Sequence, residues 1–163
     1  MTDKQSQFKQ YIEEGYATEG DYITFGTAML DGEALQETLI KAPLKSLNRH
    51  GLIAGATGTG KTKTIQLIAE ALSEKSSPVL LMDLKGDLSG LAKEGNYHRK
   101  IIERHDKIGI PFEPTAFPVE LLTLSQEKGV RLRATVSEFG PILFSKMLEL
   151  NDTQSGLVSL IFK

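Results

Sequence analysis

Residues 55–62 read Gly55-Ala56-Thr57-Gly58-Thr59-Gly60-Lys61-Thr62, the G-x-x-x-x-G-K-[ST] spacing of a phosphate-cradling P-loop. Such a loop dictates its neighbours, because it must leave a strand and enter a helix. Glycine is required where the backbone curls into conformations that a Cβ forbids. The amides of the loop and of the helix N-terminus then converge on an anion. Both flanks are present. Gly51-Leu52-Ile53-Ala54 is a short apolar run suited to a buried parallel strand. Ile65, Ile68, Ala69 and Leu72 recur at helical spacing, with Lys63, Gln66, Glu70 and Ser73 elsewhere on the wheel. A helix is predicted from about Gly60 to Lys75, and a chance glycine-rich turn would not need the apolar run before it.

The pattern assigns roles. Gly55, Ala56, Thr57, Gly58, Thr59, Gly60, Lys61, Thr62 and Lys63 form the predicted nucleotide-binding segment. Lys61, the candidate catalytic residue, reaches the β- and γ-phosphates, and the Thr62 hydroxyl takes a magnesium position. ATP and Mg²⁺ are the expected cofactors. A second cluster follows at Val79-Leu80-Leu81-Met82-Asp83-Leu84-Lys85-Gly86-Asp87. Four apolar residues and then Asp83 have the shape of a Walker B strand, whose carboxylate holds the magnesium water shell. A turn or cap aspartate fits the same spacing, so both readings stand.

Composition narrows the class. At 163 residues the chain is long enough for a real core. The formal net charge of −2 neither supports nor excludes nucleic-acid binding. The absence of cysteine excludes disulfides and thiol chemistry and fits a cytoplasmic location. No apolar run approaches the roughly 20 residues of a membrane span, and the polar stretch from Met1 to Gln10 is no signal peptide.

Residues 1–20 read as a polar N-terminal extension with weak helical tendency, and 21–163 as the N-terminal portion of a P-loop ATPase domain. Tyr22-Ile23-Thr24-Phe25 and Leu39–Leu44 are predicted edge strands, the latter bounded by Pro43. Val79–Met82 is a predicted buried strand, completing a right-handed βαβ unit. The predicted fold is therefore α/β: a parallel-sheet core with helices on both faces, incomplete, plus short N-terminal edge strands.

Further along, a helix is predicted over Tyr97–His105 and an irregular segment over the three prolines Pro111, Pro114 and Pro118. A strand is predicted over Val119–Leu124, and a helix from Pro141 to Leu150. Asn151 and Gln154 have capping-box spacing for a last helix. That helix carries Leu157, Val158, Leu160 and Ile161 to Lys163 without a stop signal, the pattern expected first of a fragment of something longer and second of a C-terminal helix docked on the core.

Other polar residues have local explanations. His50 precedes the P-loop strand, where it either approaches a nucleotide or closes a turn, the commoner role, while His98 and His105 lack partners at ligand spacing. Arg131 and Arg133 alternate with apolar residues, most simply as a solvated face and otherwise as a phosphate-sensing pair. Glu70 and Glu74 fall on the side of the P-loop helix expected to face solvent.

Four blocks in order carry a family resemblance. Asn48–Thr62, Met82–Gly90, Arg133–Pro141 and Asn151–Gly156 resemble the bacterial HerA-like helicase proteins of the YjgR type. Those proteins are similar to the HerA/FtsK group of RecA-like motor ATPases, many of them hexameric rings that pump DNA. The resemblance implies an ATP-hydrolysing motor, a DNA translocase or helicase, working as a homo-oligomer, a hexamer in the complete protein. It also implies that Asp83-Leu84-Lys85 matches the group's Asp-x-Lys element. The Asp-Glu pair of the true Walker B strand, the arginine finger and the DNA-contacting loops would then lie downstream.

Two other classes fit parts of the pattern. A small phosphotransferase has this length and could use Asp83 as metal carboxylate or acceptor base, although no arginine-rich lid segment is evident. A nucleotide-binding interaction module that does not hydrolyse would need only the P-loop.

Overall fold

The computed structural model describes residues 3–162. The reading of Lys163 and that of the first two residues lie outside them. The chain divides into two compact units, Met1–Val119 and Glu120–Lys163.

The first unit is built on an antiparallel hairpin of β1 (Tyr22–Leu30) and β2 (Glu33–Pro43). Both predicted edge strands belong to it, each longer than expected. The two-residue connection is Asp31-Gly32, with φ of 51° and 84°. Left-handed values at both turn positions match the right-handed strand twist, which is why Asp-Gly closes tight hairpins. Register shifts between Thr24 and Gly26 and between Thr27 and Met29 bulge β1. Ile23 and Ala28 are buried on this strand, and Thr38 is fully buried on β2 with its hydroxyl donating to the Leu35 carbonyl.

Three helices pack on the hairpin. Helix α1 (Asp3–Gly15) lies in the predicted extension and packs on β2 and β1, burying Ile12. Helix α2 (Lys61–Glu74) follows the P-loop as predicted and packs on β1. Helix α3 (Arg99–Ile108) starts two residues later than Tyr97, because the His98 ring caps it by accepting from the Lys100 amide. Its last carbonyls are satisfied from the hairpin: Gln36 donates to the Asp106 carbonyl at 2.7 Å and Thr27 to that of Ile108 at 3.0 Å.

The expected parallel core differs most. Residues 51–54 and 79–82 run without sheet partners, and the βαβ unit is not present among the described residues. Leu52, Leu80 and Met82 are 89%, 79% and 86% exposed, in place of the predicted burial. An apolar run becomes a strand only when neighbours pair with its backbone and helices cover both faces. Here the structured neighbour of α2 is an antiparallel hairpin. Mixed α/β character holds, with two small sheets.

The second unit holds a short parallel pair, β3 (Leu122–Thr123) and β4 (Val130–Arg131), and two helices. Helix α4 (Val136–Met147) begins before Pro141, and Gly140 (φ 66°, ψ 168°) breaks it there. The earlier start comes from Thr135 and Glu138, a capping box whose T-x-x-E spacing was legible in the sequence. Helix α5 (Asp152–Ile161) carries the predicted Asn151–Gln154 box, with reciprocal bonds of 3.0 and 3.1 Å. The Phe144 and Phe162 rings meet at 5.7 Å where the two helices pack.

Candidate functional site

The loop at 55–62 has the backbone that its glycines foretell. Gly58 and Gly60 have φ of 81° and 97°, a region costly for residues with a Cβ. At Gly55 a Cβ would stand 2.5 Å from the Thr59 hydroxyl oxygen, so a side chain there fits only if that hydroxyl moves. Gly60 is the N-cap of α2 and offers no side chain to its first turn. The amides of Lys61, Thr62 and Lys63 therefore end the helix open to an anion, reinforced by the helix dipole.

The Ala56 carbonyl is the hub of the loop. The Lys61 ammonium donates to it at 2.7 Å, the Thr59 hydroxyl at 2.8 Å and the Thr59 amide at 3.4 Å. Thr62 and Lys63 are exposed in the first turn of α2. A threonine hydroxyl in that position is free to meet a hard cation.

Asp83 is engaged in its own loop. One carboxylate oxygen accepts from the amides of Lys85, Gly86 and Asp87 at 3.1, 2.8 and 3.2 Å, and the other from Leu88 at 2.8 Å. Four donors meet the approximately four acceptor sites of a carboxylate. The Leu88 amide foremost, opposed by desolvation and helped by the amides of Lys85, Gly86 and Asp87, holds this carboxyl below its ordinary value of 3.8.

Helix α2 joins the two segments. Gln66 is 6% exposed and donates to the Asp87 carbonyl at 2.9 Å. The wheel read from sequence assigned burial to Ile65, Ile68, Ala69 and Leu72. In the fold Gln66 and Ala69 are the buried positions, while Ile65 is 37% exposed. Glu70 is half-buried rather than solvent-facing, and desolvation pushes its carboxyl up, against Lys63 and with Glu74. Sequence reading missed Gln66, since nothing in a one-dimensional pattern marks a polar residue whose partner is 21 positions away. The Asp83 turn carried a signal, aspartate three residues ahead of Gly86.

His98 and His105 serve local structure. The His105 Nδ1 lies 2.9 Å from the Ile110 carbonyl, and its ring stacks at 5.1 Å on Phe112.

A glycine loop opening a helix, within a mixed α/β chain, is what the structure places at residues 55–62. The chain belongs to the helicase HerA-like C-terminal family, whose model matches residues 28–163. That membership bears out the HerA-like resemblance carried by the four sequence blocks. A 72-residue stretch is 36% identical to the ESX-4 secretion system protein EccC4 of Mycobacterium tuberculosis. The match takes in 42% of this chain and 6% of that protein, so the chain spans a small part of that relative. No solved structure matches the chain. Among the described residues, no helix is long and apolar enough to cross a membrane.

Proposed function

We propose that residues 55–62 bind the triphosphate of ATP, and that the complete protein hydrolyses it as a HerA-like motor moving DNA. The observation that carries this reading is the loop geometry: two left-handed glycines, a third whose Cβ would displace the Thr59 hydroxyl, and an uncapped helix start. Family membership supports the motor class. In this reading the amides of Gly58 to Thr62 cradle the β- and γ-phosphates, and Lys61 leaves the Ala56 carbonyl to neutralise them.

Magnesium supplies charge neutralisation of the phosphates when bound. The exposed Thr62 hydroxyl fits it. Asp83 fits as a residue beside the metal rather than as its ligand, since direct coordination would strip amides from its loop. In this reading a carboxylate orients the water that attacks the γ-phosphate and a cation from a neighbouring subunit completes the site, which is why a hexameric ring belongs to the proposal.

Calorimetric titration of MgATP into this chain tests the site. Saturable one-to-one binding is expected, competed by ADP and not by AMP, because the site grips phosphates rather than base. A flat titration would refute it.

A further inference from the structure

Segment 85–88 is held from two sides. Asp83 gathers its four amides from the N-terminal side, and Gln66 donates to the Asp87 carbonyl from α2. Gln66 lies four residues after Thr62, on the same helix face and about 6 Å along the axis. The same turn of helix therefore carries the hydroxyl assigned to magnesium above at one end and the loop's anchor at the other. A packing role against β1 would be met by an apolar side chain, with no buried amide to satisfy. The amide's partner is the loop.

We propose that Gln66 is a positioning residue of the phosphate site, tying loop 83–88 to the turn of α2 that carries Lys61 and Thr62. Rigid coupling through one helix turn links the two segments, so phosphate binding at 55–62 orders 85–88, and order at 85–88 favours phosphate binding. The link brings the charged side chains of Lys85 and Asp87 up to α2 as part of one unit. This inference rests on reading residues 55–62 as a nucleotide site.

Hydrogen exchange on the full chain, with and without MgATP, tests the link in the wild type and in Gln66→Met. Methionine keeps the length and apolar fit and removes the donor. Without nucleotide, amides 85–88 are expected to exchange about fivefold or more faster in the variant, with β1 and β2 unchanged. With saturating MgATP those amides slow further in the wild type but not in Gln66→Met, whose MgATP affinity falls by about threefold or more as the coupling is lost.

Equal exchange at 85–88 in both nucleotide-free proteins would overturn the tie. Equal slowing by MgATP in both, or no slowing in a wild type that binds MgATP, would overturn the coupling. Absent MgATP binding would sink the nucleotide reading, and the nucleotide-free comparison would still decide the tie. If Gln66→Met does not fold, Gln66→Leu removes the same donor with a different apolar shape and is read by the same comparison.

Discussion

Lys61 donates to the carbonyl of Ala56 five residues earlier, at 2.7 Å, folding its charge back over its own loop. The contact is exposed and local, so it organises the loop without adding much to global stability. It also gives the ammonium two possible partners. A carbonyl is a weaker acceptor than a phosphate oxygen, so a bound triphosphate draws Lys61 away.

Lys61→Ala is accordingly expected to weaken MgATP binding by at least about tenfold, equivalent to about 1.4 kcal/mol. Its thermal midpoint should stay near that of the wild type, because the deleted bond is solvent-exposed. Calorimetry and a melting curve on the same sample check both. Unchanged affinity would remove Lys61 from the site.

Gly55→Ala pushes a methyl into the Thr59 hydroxyl, which must then rotate away from the Ala56 carbonyl. A loss of about 1 kcal/mol in loop order is expected, seen as weaker nucleotide binding. A double-mutant cycle identifies the cause. On a Thr59→Ala background the same change should cost much less, and full additivity would contradict the clash.

Acid should release the 85–88 segment late. The folded-state Asp83 carboxyl lies below 3.8, so its contribution is complete above that value and is lost as pH falls through the lower one. The Leu88 amide chemical shift, followed by NMR, should titrate with a midpoint under 3.8, and Asp83→Asn should abolish the transition. A midpoint at or above 3.8 would argue against the four-amide clamp.

Thr135→Ala should fray the start of α4. The hydroxyl accepts from the Glu138 amide at 3.3 Å, and Glu138 returns by accepting from the Thr135 amide at 2.7 Å. A cost of about 1 kcal/mol is expected, with Ser at 135 restoring most of it. Faster exchange of the first-turn amides of α4 is the readout, and no change there would show that the box is idle.

Much of the site was legible because its parts are close in sequence. Gly58, Gly60 and Lys61 act within a few residues, so the loop and the start of α2 follow from the motif. The Asn151–Gln154 box likewise needs only its own turn. Legibility failed where partners are remote. Leu52–Ala54 and Leu80–Met82 have strand-like composition, yet strand identity depends on which backbones lie alongside them. Asp31-Gly32 was a readable hairpin signal, and pairing β1 with β2 through it gives α2 the surface on which it rests.

The sequence by itself therefore determined the phosphate-type loop, the helix that follows it, the capped helix ends and the family. Each of these depends on residue types at short fixed spacings, where backbone conformation and nearby hydrogen bonds leave few alternatives. Only the tertiary structure decided which face of α2 is buried, that Gln66 reaches the Asp87 carbonyl, and that Asp83 serves its own loop. Those outcomes depend on which distant surfaces meet, and apolar periodicity ranks faces by hydrophobicity without naming what will cover them.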